Sequence, residues 1–99
     1  MVAIFRDLKR LVYLISPNKI HPGFYTELNK VLTSKNVSFF QLRLKNKSTS
    51  EIVKIAKKIK VITKRHNVKL IINDNFKIAN KANADGCHLG QKDGSVKLL

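Results

Sequence analysis

A parallel α/β fold is what this sequence predicts, and three features predict it. Short apolar runs alternate with amphipathic stretches, one such pair about every twenty-five to thirty residues. The amphipathic stretches place their apolar residues at helical spacing. No Gly/Ser-rich linker or low-complexity segment interrupts the alternation, so residues 1–99 read as one domain. Strand, helix, strand in succession implies parallel pairing, because each crossover helix returns the chain to the same end of the sheet.

After a short helical lead-in, LVYLIS (11–16) reads as a buried strand and PNKIHPG (17–23) as a loop marked by Pro17, Pro22 and Gly23. Phe24, Leu28, Val31 and Leu32 step as i, i+4, i+7 and i+8, which gives a helix with one buried face. Val37 to Lys45 reads as a strand rich in aromatic and aliphatic residues. Ser48 and Glu51 have the Ser-x-x-Glu spacing of a capping box. They open a helix whose Ile52, Ile55, Ala56, Ile59 and Ile62 form one stripe, with Lys54, Lys57, Lys58, Lys64 and Arg65 largely outside it. A third strand is expected over 68–73, a short helix near 76–83, and a fourth strand near 86–89.

Composition narrows the function classes. The longest apolar runs, such as LVYLI, are too short to span a bilayer, and the N-terminus has no signal-peptide core. The one cysteine, Cys87, forms no intrachain disulfide, so a reducing cytoplasm is the expected compartment. The formal charge of +14 attracts polyanions in a salt-dependent way. Yet the cations are sixteen lysines and only four arginines, with no zinc-ligand spacing and no aromatic-rich RNA-binding strand. Specific nucleic-acid binding is therefore not expected.

Only six residues are acidic, and three of them, Asp74, Asp85 and Asp93, fall between Val68 and Asp93. Parallel α/β folds bind ligands at the carboxyl ends of their strands. Asn73 and Asp74 close the third strand, and Asp93 follows the fourth. If those strands are neighbours, the two carboxylates converge, and a carboxylate pair at that rim suits Mg²⁺ with substrate phosphates. The alternative is structural: Asp74 caps the helix beginning at Phe76, and Asp93 starts a turn before Gly94. In FFQLRLK, Gln41, Arg43 and Lys45 share one face of the expected strand. A strand buried on both sides is normally apolar throughout, so that face meets either solvent or an anion. Cys87 and His88, being adjacent, point to opposite faces, which disfavours shared metal ligation. His88 faces either the ligand side or the core.

The segments LVYLISP, QLRLK, IIND and ADGCHLGQKD, in this order, resemble the thiamine-phosphate synthase family, which includes a thiazole-tautomerase branch. The resemblance runs from Leu11 to Asp93, and retention of both aspartates in IIND and GQKD disfavours the tautomerase branch. It implies a (β/α)₈ TIM-type barrel and a transferase. That enzyme condenses hydroxymethylpyrimidine pyrophosphate with thiazole phosphate, giving thiamine phosphate and pyrophosphate. Carried onto this chain, Gln41, Leu42, Arg43, Leu44, Lys45 and Asn73 would bind the pyrimidine pyrophosphate, and Asp74 and Asp93 would hold Mg²⁺. A full barrel needs roughly 200 residues or more. The expectation is thus a half-barrel of about the first four βα units, with the later acceptor-binding segments missing. Such a half is expected to be inactive alone, with a separately encoded C-terminal half or a second copy as partner. The other reading is a noncatalytic remnant that binds pyrophosphate or another anion.

Overall fold

The computed structural model describes residues 3–6, 12–34, 36–89 and 95–98. Its elements in chain order are β1 (Ala3–Arg6), β2 (Val12–Ile15), α1 (Phe24–Ser34), β3 (Phe39–Leu42) and α2 (Thr49–Arg65). They continue with β4 (Lys69–Asn73), α3 (Phe76–Lys81), β5 (Gly86–Leu89) and β6 (Ser95–Leu98). The six strands form one sheet in the order of the sequence. β2, β3, β4 and β5 pair in parallel through the three helical crossovers, as the alternation predicts.

The two outer strands depart from the expectation. Residues 3–6 are not helical but pair antiparallel with β2, and β6 pairs antiparallel with β5. A four-residue segment is too short to show either period. What decides its conformation is the open hydrogen-bonding edge beside it, which offers a ready row of partners. The chain therefore does not end its sheet at a fourth strand.

Register explains where the core sits. Leu14, Phe40 and Leu70 stand opposite one another across β2, β3 and β4, and Leu42, Ile72 and Cys87 do so across β3, β4 and β5. All six are buried, and they meet Phe24, Leu28 and Leu32 of α1, Ala56, Ile59 and Ile62 of α2, and Ile78 and Ala79 of α3. The alternate residues, including Tyr13, Phe39, Gln41, Ile71, Asn73 and His88, belong to the other face of the sheet.

Helix ends follow the side chains that the sequence supplies. Ser48 Oγ accepts from the Glu51 amide at 3.2 Å, and the Ser48 amide donates to Glu51 Oε1 at 3.4 Å, completing the capping box. Ser48→Ala is expected to lower stability by about 1 kcal/mol, seen as a fall in the melting temperature by circular dichroism. An unchanged transition would show that the box contributes nothing. At the other end of α2, His66 Nε2 lies 2.8 Å from Asn29 Oδ1 and ties the helix to α1.

Asp85 belongs to the amino-terminal end of the sheet. It precedes β5, accepts from Lys60 Nζ of α2 at 2.9 Å, and accepts from the Leu70 amide of β4 at 2.7 Å. Its own amide returns a bond to the Leu70 carbonyl at 2.8 Å. One carboxylate thus joins a helix and two strands.

Candidate active site at the carboxyl ends of the strands

β3 is shorter than its apolar run suggests. It stops at Leu42, so Arg43, Leu44 and Lys45 leave the sheet and enter the loop to α2. The cause is a side chain from the neighbouring strand end. Ser16 is buried after β2, its amide donates to the Gln41 carbonyl, and its Oγ accepts from the Arg43 amide at 2.9 Å. A side-chain acceptor has replaced the next rung of the ladder. The Lys45 amide then bonds the Asn18 carbonyl at 3.3 Å.

This corrects the expectation that Gln41, Arg43 and Lys45 line one strand face. Gln41 alone is on the strand and is only 4% exposed, whereas Arg43 and Lys45 are exposed beyond it. Leu42 is buried in the core and Leu44 packs against it, so any ligand would meet these two through their backbone. Neither Arg43 nor Lys45 pairs with a carboxylate among the described residues.

The structure does join Gln41 to the end of β4. Gln41 Nε2 donates to Asn73 Oδ1 at 2.9 Å, and Asn73 Nδ2 donates to Asp74 Oδ2 at 3.4 Å. The Asp74 amide donates to the His88 carbonyl at 2.8 Å, which confirms β4 and β5 as neighbours. Asp74 itself is exposed, with φ at +57°, the left-handed region that Asp and Asn enter more readily than most residues.

The helix-capping alternative for Asp74 does not hold. The cap of α3 is Asn75, whose Oδ1 accepts from the Ile78 amide at 3.0 Å. The Asp74 carboxylate is therefore spared that role. Asp93 lies outside the described residues, and among those described no three His, Cys, Asp or Glu side chains cluster as a metal site. What the described residues offer a cation is one exposed carboxylate beside an amide. That is a single anionic oxygen ligand, which by itself selects no particular cation.

Cys87 and His88 take opposite faces, as adjacent strand residues must. Cys87 is buried in the core, where burial pushes its thiol pKa up and keeps it protonated. His88 pairs in register with Asn73 and shares its face, and its Nδ1 is buried without a hydrogen-bond partner among the described residues. Tyr13 stacks on Phe39 with ring centroids 5.4 Å apart, and burial raises its phenol to about 12. It stays a neutral hydroxyl at physiological pH. Sequence reasoning missed Ser16 and Tyr13. A serine directly before Pro17 at a strand end was the available signal for Ser16; Tyr13 had none beyond its place in an apolar run.

Comparison with known proteins agrees with this geometry. A family model for thiamine monophosphate synthase matches residues 12–99. A thiamine-phosphate synthase of Pelagibacter ubique is 58% identical over 86 residues, covering 86% of this chain and 42% of that protein. One of Clostridium tetani is 44% identical over 97 residues, covering 95% and 46%. The solved thiamine phosphate pyrophosphorylase of Pyrococcus furiosus superposes with a TM-score of 0.69 at 26% identity, over 82% of this chain and 39% of that one. The chain thus spans less than half the length of these relatives. No described helix is long and apolar enough to cross a membrane. With strands, helices and most of its length matched in order, this chain belongs to the thiamine-phosphate synthase family.

Proposed function

We propose that this chain furnishes the pyrimidine-pyrophosphate half of a thiamine-phosphate synthase active site. The observation that carries the reading is the hydrogen-bonded series Gln41, Asn73, Asp74 at the carboxyl ends of adjacent parallel strands. Gln41 and Asn73 hold each other's amides in fixed orientation, so both present set donors and acceptors to a heteroaromatic ring. Arg43 and Lys45 follow β3 at the same end and bring to a departing pyrophosphate two cations that pair with no carboxylate among the described residues. In the reaction the bond from the pyrimidine methylene carbon to the pyrophosphate oxygen breaks. The thiazole nitrogen then donates its electron pair to that carbon. Asp74, with Asp93, would hold Mg²⁺, which when bound neutralises the charge that develops on the leaving group. His88 pairs in register with Asn73 and shares its face, behind the amide that would meet the pyrimidine.

The acceptor's phosphate site belongs to sequence that the relatives have in addition to the matched part. Proximity of the two substrates supplies a large part of such a reaction. The 99-residue polypeptide alone is therefore expected to release no pyrophosphate from the two substrates. Co-expressed with the C-terminal half of a related synthase, it is expected to regain turnover, and Asp93→Ala in the pair is expected to cost about 100-fold or more. Turnover by the polypeptide alone would overturn the division of labour. A soluble, associated pair without turnover would favour an anion-binding module instead.

A further inference from the structure

On the outer surface of α2 and α3, four lysines have no carboxylate partner among the described residues. Lys54, Lys57 and Lys64 on α2 and Lys81 at the end of α3 are all exposed. None pairs with a carboxylate among the described residues; Lys60 of the same helix is taken up by Asp85. Like charges three residues apart, as Lys54 and Lys57 are, repel along a helix and slightly destabilise it. An anion lying between them would reverse that.

These lysines line two grooves between the helices. One, of about 540 Å³, has Lys54 and Lys57 on one wall and Lys81 on the other. The second, of about 410 Å³, has Lys64 opposite Asn80 and Asn83, and the Lys60–Asp85 ion pair also lines it, its carboxylate neutralised by the lysine. Together they follow α2 from its first turn to its last, roughly 24 Å at 1.5 Å per residue. The result is a row of point charges along α2, with Thr49, Ser50 and Val53 beside it in the first groove and Asn80 and Asn83 in the second, and with none of Gln41, Asn73 or Asp74 in either lining.

We propose that this valley binds the sugar-phosphate backbone of a nucleic acid without regard to sequence. A linear row of ammonium groups matches a linear row of phosphates. Lysine contributes charge without the planar fork that reads base edges. A flat anionic membrane is a poorer fit, because a valley between helices recedes from a plane and the apolar stripe of α2 is already packed into the core.

The test is fluorescence anisotropy of the whole chain with a short labelled mixed-sequence oligonucleotide, as RNA and as DNA, across about 50 to 200 mM salt. Neutralising four phosphates predicts a contribution of about −3 to the slope of log affinity against log salt. Lys54→Gln/Lys57→Gln/Lys64→Gln/Lys81→Gln is expected to remove that contribution and weaken binding about tenfold or more. The control is Lys19→Gln/Lys30→Gln/Lys58→Gln/Arg65→Gln, which loses the same charge from other surfaces and is expected to keep most of the affinity. Circular dichroism of both variants separates a binding defect from unfolding. Equal losses in the two variants would mean that net charge alone acts, and would overturn the proposal. So would tighter binding to phosphatidylglycerol vesicles than to either oligonucleotide. A difference between the RNA and DNA arms would identify the preferred backbone.

Discussion

Asp85→Ala is expected to destabilise the protein by about 2–3 kcal/mol, the cost of leaving a buried donor and a partly buried charge without partners. Leu70 is fully buried, and its amide would lose the carboxylate that accepts from it at 2.7 Å. Lys60 would keep its ammonium in a position only 19% exposed, without the 2.9 Å partner that offsets its desolvation. For a domain of this size that is a fall of about 10–20 °C in the melting temperature. Asp85→Asn keeps an acceptor for the Leu70 amide and removes only the charge, so it should cost less. Urea unfolding followed by circular dichroism measures both. An alanine variant within about 0.5 kcal/mol of the parent, the scatter of ordinary surface changes, would show that the carboxylate does not clamp the sheet.

Scarce carboxylates thus serve two ends of one sheet. Asp85 joins α2, β4 and β5 at the amino-terminal ends, where parallel α/β folds invest in stability. Asp74 sits at the carboxyl end with its side chain exposed and, among the described residues, the Asn73 amide as its side-chain hydrogen-bond partner. The sequence distinguishes them weakly, because each simply borders an apolar run. Only the pairing of strands shows that one carboxylate is fastened and the other is available.

Elements with a sustained period were legible. The isoleucine stripe of α2 and its Ser48–Glu51 box specified that helix almost to its ends, and the parallel order followed from alternation. β1 and β6 were not legible, because four residues carry too little pattern and the pairing edge decides. The end of β3 was not legible either. QLRLK alternates as a strand does, and the interruption comes from Ser16, twenty-seven residues away. For the site, the residue types at the rim were readable from motif and strand position. The Gln41–Asn73 bond was not, since it spans thirty-two residues and depends on the register between β3 and β4.

The second large effect concerns ligand binding and bears on whether the strand-end series is a pyrophosphate site. Asp74→Asn is the informative change, because asparagine also tolerates the left-handed backbone at φ +57° and so removes the charge with little strain. Losing a partner that merely orients a metal ligand costs 10–100-fold in affinity, so losing the ligand itself should cost about tenfold at least. The decisive measurement is isothermal titration of pyrophosphate into the parent chain and the variant, each with and without Mg²⁺. The expected result is weak binding by the parent that requires Mg²⁺ and is lost in Asp74→Asn. Equal binding by the variant, or binding that persists without metal and fades steadily with salt, would contradict the assignment of Asp74 and leave only the general attraction of a basic surface.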